Sequence, residues 1–202
     1  MSLAVVCCKG LAKFLAVTLP YTKQQFSCIV VATERDDQAT LDLCTAANVG
    51  FCISDKKGKA ALINAALASS VDGIDWVCLL DVDIIIPSQV QFDWPALDTR
   101  KLYSALRRQA RTVEDGVRPV ASLPLAADPP FVGGELQPLG YFQLWNWRCY
   151  PRRYPISAEE WSKVGWTRAD IDFSRLWPTQ NRALLPFEVI HLGSPREHWG
   201  GS

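Results

Sequence analysis

Two aspartates stand two residues apart inside an apolar run, Cys78-Leu-Leu-Asp81-Val-Asp83-Ile-Ile-Ile-Pro87. In extended chain, residues i and i+2 project to one side. Two carboxylates buried together repel each other and lose their water unless a cation joins them. A hard divalent ion with oxygen ligands is the natural counter-charge. Upstream, Lys57-Gly58-Lys59-Ala60-Ala61-Leu62-Ile63-Asn64 sets Lys59 at a helix start after a glycine, a position suited to a phosphate. It is not a P-loop, since the upstream glycine and the Lys-Ser/Thr pair are missing. The chain has two histidines, both near its end. His191 closes a short apolar run, and a neutral imidazole suits Mn2+ as well as Zn2+. Alternating aromatics in Tyr141-Phe142-Gln143-Leu144-Trp145-Asn146-Trp147 offer rings, Tyr141 and Trp145 among them, on which a sugar or a base can stack. A strand with Phe142 and Leu144 in the core and the tryptophans on its other face accounts for the same pattern.

These residues need elements to hold them. Leu3–Cys8 is a short apolar run that reads as a buried strand. Leu11–Thr18 reads as a helix stopped by Pro20, and the β-branched run Phe26–Thr33 as a second strand. Ala39–Ala47 reads as a helix, Phe51–Ser54 as a strand, Lys59–Ser69 as an Ala-rich helix, and Trp76–Ile86 as a fourth strand ended by Pro87. Strands alternating with helices at this spacing predict a parallel α/β sheet. Ligands of such sheets gather at the carboxyl ends of the strands. The polar residues there are Lys9, the group Thr33-Glu34-Arg35-Asp36, the group Asp55-Lys56-Lys57, and Asp81 with Asp83. In the second half, Leu102–Arg111 reads as a helix with a basic face and Pro119–Leu123 as a strand. Residues 126–140 read as a loop, Tyr141–Trp147 as a strand, Glu159–Val164 as a helix and Phe187–His191 as a last strand.

The 202 residues are 49% hydrophobic and 21% charged, enough for one sizeable core and too apolar for a disordered chain. Net charge is zero, against a surface that holds nucleic acid by charge alone. The zero conceals a net −3 over residues 1–100 and +3 over residues 101–202. Six of seven cysteines lie in the first half and six of eight tryptophans in the second, so the halves are expected to do different work. The basic and aromatic stretch 148–154 suits a phosphorylated acceptor or single-stranded nucleic acid, though a solvated loop has the same composition. No run approaches the roughly 20 apolar residues of a membrane span. Cysteines 7, 8, 28, 52 and 78 sit in apolar runs without CxxC spacing. They read as buried thiols of a reducing, cytoplasmic compartment rather than as disulfides or a zinc site.

In this order and spacing, the first 90 residues resemble the nucleotide-sugar-binding half of GT-A glycosyltransferases, such as the inverting family of cellulose and chitin synthases. The matching positions are Val5–Cys8, Glu34/Asp36, Gly58-Lys59-Ala60 with Asn64, and Asp81-Val82-Asp83. The resemblance implies a donor site of Thr33, Glu34, Asp36, Lys59, Asp81 and Arg196. It implies a Mn2+ or Mg2+ ion held by Asp81, Asp83 and His191. Gly165-Trp166-Thr167-Arg168-Ala169-Asp170-Ile171-Asp172-Phe173 resembles a segment of galactosyltransferase-type enzymes that lies over the acceptor and carries the catalytic base. Asp170 falls on that acidic position and Asp172 on a second, while Ala169 stands where the family has Glu. Glu135 is a further candidate base. The acceptor side would then include Trp166 with Tyr141 and Trp145, and His198 and Trp199 would close over the donor.

The expectation is therefore a single GT-A-like α/β/α domain over 1–202, with a donor half in 1–100 and an acceptor and metal-completing half in 101–202. The expected reaction is metal-dependent, inverting transfer of a sugar from a nucleoside diphosphate donor, UDP-sugar by resemblance, to a hydroxyl of a glycan or other acceptor. A modified nucleic-acid base is a further acceptor class. The compact chain resembles phage and bacterial members, which act in the host or cell cytoplasm. A nucleotidyltransferase and a non-catalytic sugar-binding module are the other classes. Cys7-Cys8-Lys9-Gly10-Leu11 matches poorly the Gly-rich signature of the former.

Overall fold

The computed structural model describes residues 1–56, 58–70, 72–112, 114–117, 119–125, 131–132, 134–150, 153–154 and 167–193. The chain begins as three βαβ crossovers: β1 (Ser2–Cys7), α1 (Ala12–Gln25), β2 (Cys28–Glu34), α2 (Gln38–Ala46), β3 (Gly50–Ser54), α3 (Lys59–Ser70) and β4 (Trp76–Asp81). There follow β5 (Ile84–Ile85), β6 (Leu102–Ala110), a hairpin of β7 (Phe131–Val132) and β8 (Glu135–Leu136), β9 (Phe142–Asn146), α4 (Thr167–Ser174) and β10 (Arg182–Leu192). Eight strands form one sheet in the order β3-β2-β1-β4-β9-β6-β10-β5. Of these, β9 and β5 run against the rest.

Strand alternation sorts the core into two layers. Ala4, Val6 and Cys8 pack with Phe14, Leu15 and Leu19 of α1 on one face. Leu3, Val5 and Cys7 pack with Ala60, Ile63 and Leu67 of α3, and with Trp145, Phe173 and Trp177, on the other. Helices cover both faces, so the strands read as continuous apolar runs. This is the expected three-layer α/β/α architecture.

Several elements depart from expectation. Helix α1 runs through Pro20 to Gln25. Pro20 and Ala16 are both exposed, so the one lost N–H bond faces water, while Leu15, Leu19 and Thr22 hold the helix on the sheet. The fourth strand is not continuous: Val82 and Asp83 form a turn between β4 and β5. Asp81 and Asp83 therefore do not share an unbroken extended run. Leu102–Ala110 is a strand, not a helix. Its Leu and Ala content favours helix, but β9 and β10 flank it and bury Leu102, Ser104, Tyr103 and Ala105 on both faces, and burial overrides propensity. Val120–Ser122 is a 3-10 turn rather than a strand. The predicted helix 159–164 lies outside the described residues.

Candidate active site

The strand order reverses between β1 and β4: the chain moves outward to β2 and β3, then α3 returns it to the far side of β1. Such a switch point opens a crevice at the strands' carboxyl ends. Lys9 follows β1, Asp81 ends β4, and α3 starts with Lys59. Lys59 is buried, and its Nζ lies 2.5 Å from Asp81 Oδ1 and 4.0 Å from Asp170 Oδ1 while donating to Gly140 O at 3.2 Å. The ammonium thus points inward onto two carboxylates instead of outward to a phosphate. Burial by itself pushes Lys59 down, but Asp170 and Asp81 outweigh it and hold the lysine above its ordinary value. For Asp81, burial raises the carboxyl to about 6 despite Lys59, and the charges of Asp83 and Asp170 add to the rise.

Asp170 lies in the first turn of α4 and is buried. Tyr154 donates its hydroxyl to Asp170 Oδ1 at 2.6 Å, and Gln143 Nε2 donates to Pro138 O at 2.6 Å and to Asp170 O at 3.3 Å. Asn64 of α3 brackets the Tyr154 backbone, accepting from its N–H at 2.9 Å and donating to its carbonyl at 3.0 Å. The Asn of the Gly-Lys-Ala helix therefore reaches Asp170 through one tyrosine. A side chain at Gly140 would overlap the Asp170 carboxylate and force it to move.

A second cluster surrounds the Val82–Asp83 turn. Asp83 is buried, and His191 Nε2 stands 3.3 Å from its Oδ2. The pairing of β5 with β10, Ile84 opposite His191, brings these residues together across the sheet edge. Thr18 of α1 donates to Val82 O at 2.8 Å and fixes the turn from the helix packed against it. Two ligands at right angles on an ion with bonds of ~2.1 Å lie ~3.0 Å apart, close to the Asp83–His191 spacing. A carboxylate oxygen facing an imidazole nitrogen is a donor pair that suits Mn2+. Among the described residues, no three His, Cys, Asp or Glu side chains form a complete metal-binding set.

The remaining candidates separate. Glu34 is buried and pairs with Lys9 at 2.6 Å, and Thr33 Oγ1 donates to Asp37 Oδ2 at 3.2 Å; Asp36 is exposed. Asp37, which sequence reasoning passed over, caps α2 and accepts from Gly10 N at 2.8 Å, tying the ends of β1 and β2. Asp172 is half-buried beside Arg175 at 3.6 Å. Glu135 is exposed and leans on Thr179. Tyr141 and Trp145 correct the stacking expectation. Trp145 is fully buried with Nε1 donating to Tyr150 O at 3.0 Å, and Tyr141 is buried with its hydroxyl on Ala105 O at 2.6 Å. Neither ring offers a face to an acceptor, because both sheet faces are covered. Trp166, Arg196, His198 and Trp199 lie outside the described residues. Gln143, Tyr154, Gly140 and Gln109 were not singled out from sequence. A glutamine inside the apolar strand Phe142–Trp145 was the one readable signal.

No profile of a known protein family matches the chain, and no curated protein sequence does either. Solved structures do. Mannosyl-3-phosphoglycerate synthase from Rubrobacter xylanophilus superposes with a TM-score of 0.61 at 14% identity, covering 96% of this chain and 67% of its own. Glucosyl-3-phosphoglycerate synthase from Mycobacterium tuberculosis, in complex with Mn2+, UDP-glucose and phosphoglyceric acid, gives 0.60 at 17% identity over 96% of this chain and 72% of its own. A Bacillus anthracis protein assigned as a glucose-1-phosphate thymidylyltransferase gives 0.55 at 9% identity over 93% and 87%. At these identities the likeness is one of fold, and that fold is the α/β fold of GT-A glycosyltransferases.

Proposed function

We propose that this chain is a metal-dependent glycosyltransferase that moves a sugar from a nucleoside diphosphate donor, UDP-sugar first among them, to a hydroxyl acceptor. The observation that carries the reading is the buried Asp83–His191 pair, 3.3 Å apart, two residues beyond Asp81 at the end of β4. The Mycobacterium neighbour, of the same fold, is in complex with Mn2+ and UDP-glucose, which supports the choice of donor and ion. Asp83 and His191 would hold Mn2+ or Mg2+, with Asp81 beside them. A divalent cation there supplies electrostatic neutralisation of the leaving diphosphate. Lys59 acts through Asp81, keeping a buried carboxylate charged and aimed. Glu34, Thr33 and Asp36, at the end of β2, are the residues we assign to the base and ribose, and Arg196 is the one we assign to the diphosphate.

Asp170 is the acid we assign to the acceptor proton, with inversion at the sugar as the corollary and Asp172 as the second candidate. Its support is its place beside Lys59, within 4.0 Å of the group that holds Asp81. The acceptor is a glycan or other small hydroxyl compound, and the 148–154 stretch keeps a nucleic-acid base within the tested set. Trp166 remains the aromatic proposed for the acceptor side.

The deciding experiment is a thermal-shift screen of nucleoside diphosphates and their sugars with and without Mn2+, followed by donor hydrolysis. UDP with Mn2+ is expected to raise the melting temperature by mass action, and Asp83→Ala to remove both the rise and the hydrolysis. No rise with any diphosphate and Mn2+ together would sink the reading. Release of pyrophosphate from a nucleoside triphosphate and a sugar phosphate would instead favour a nucleotidyltransferase. Asp170→Asn is expected to lose transfer and keep UDP binding; retention of transfer would leave Asp170 as a clamp on Lys59.

A further inference from the structure

Gln109 is not one of the carboxylates or lysines of the two clusters, yet it holds His191. It lies on β6 directly beside His191 of β10, paired in register. Its side-chain amide nitrogen donates to His191 O at 3.2 Å and to Gly193 O. With Ala110 O at 3.4 Å, three carbonyls surround that nitrogen and fix which end of the amide it is, and the oxygen end, Oε1, faces His191 Nδ1 at 3.1 Å. A carbonyl-type oxygen accepts only. The proton of a neutral imidazole is thus contested between Gln109 Oε1 at Nδ1 and Asp83 Oδ2 at Nε2, 3.3 Å away. A cation at Asp83 needs the Nε2 lone pair, which leaves the proton at Nδ1, where Gln109 Oε1 accepts it.

We propose that Gln109 is a positioning residue that holds His191 as the Nδ1–H tautomer and aims its Nε2 lone pair at Asp83, thereby setting the affinity of this pair for a divalent cation. The inference rests on the reading of Asp83 and His191 as metal ligands. Metal-bound histidines need a deprotonated nitrogen toward the ion, and an acceptor on the other nitrogen fixes that tautomer. With Gln109 absent, the ring is free to turn its proton to Nε2 and give it to Asp83 as a charge-assisted hydrogen bond, closing the site to a cation. The β6–β10 register makes the device: a one-residue slip would put Arg108 or Ala110 beside His191.

The test reads the metal-free protein first. With 15N-labelled histidine only two rings give signals, and His191→Ala assigns one of them. At alkaline pH, where imidazole is neutral, the wild-type His191 is expected as the Nδ1–H form. Gln109→Leu is expected to move it toward Nε2–H and to weaken binding of Mn2+ alone, followed by electron paramagnetic resonance, by about 10–100-fold. Gln109→Glu retains an oxygen acceptor at Nδ1, and is expected to keep the tautomer and to bind Mn2+ more tightly than Gln109→Leu. An unchanged tautomer and affinity in Gln109→Leu overturn the proposal. If Gln109→Leu does not fold, an Nε2–H ring in Gln109→Glu overturns it equally. If Asp83→Ala and His191→Ala bind Mn2+ as the wild type does, the metal-site reading is what fails, and the tautomer of the Gln109 variants still decides what Gln109 does to the ring.

Discussion

At Gly140 the missing side chain is filled by a neighbour: the Asp170 carboxylate occupies the space a Cβ would take. Gly140→Ala must push that carboxylate away from Lys59 and Tyr154. We predict a loss of roughly 1–3 kcal/mol, as for other overpacked sites, measured by thermal denaturation; a melting temperature equal to wild type would contradict it. The cysteines make a second residue-scale prediction. Burial pushes the Cys8 thiol up to about 12, and the Cys44 and Cys52 thiols up to about 11. At neutral pH these side chains hold almost no thiolate, the reactive form. Alkylation of the native protein is expected to label exposed Cys149 first, with Cys149→Ser removing the fast phase. Rapid labelling of Cys8 would contradict the packing of Cys8 under Thr40.

Helix α1 reaches across the sheet edge to the Asp-Val-Asp turn through one hydroxyl, Thr18 on Val82 O. Thr18→Val keeps the shape and strands that buried carbonyl, which costs roughly 1–3 kcal/mol. Urea unfolding should register the loss, and Mn2+ affinity should fall with it, since the turn carries Asp83; a stable variant with a looser ion would split the two effects. Elements also mark what was legible beforehand. The alternation from β1 to β4 was readable because each segment's local pattern agrees with its final place: apolar runs are strands buried on both faces, and the Ala-rich run is α3. Strand β6 was not readable, because Leu102, Ala105 and Leu106 favour helix and only β9 and β10, distant in sequence, make it a strand. That misreading hid Gln109, which as a helical residue would have had no reason to meet His191. In the site, Asp81, Asp83, Lys59 and His191 stood out as charged or ionisable groups amid apolar runs. Tyr154 and Gly140 did not, because their roles are defined by what packs on them from elsewhere in the chain. Trp145 shows the opposite error: an alternation of aromatics reads the same whether one sheet face is open or both are covered.

Over the whole molecule, the buried thiols give stability a definite pH dependence. Cys8 titrates near 12 in the fold and near 9.0 when unfolded, and burial raises Cys7 and Cys78 also. A raised folded value means the contribution is complete below the unfolded pKa. It is lost as pH climbs from there through the folded one. Each such thiol is expected to remove roughly 1.4 kcal/mol per pH unit within that window. Melting temperatures under reducing conditions should therefore fall steeply above pH 9.0; a flat profile to pH 11 would show that water reaches these thiols. The pairing of β5 with β10 has a kinetic consequence. Asp83 and His191 meet across about a hundred residues of intervening chain, the kind of distant closure that is entropically costly and tends to form late in folding. An ion held between them would be a clasp on the last strand to dock, absent while the earlier βα units assemble. Mn2+ should then slow unfolding far more than it speeds refolding, and the chain's lifetime on the bench would be set by whether the clasp is filled.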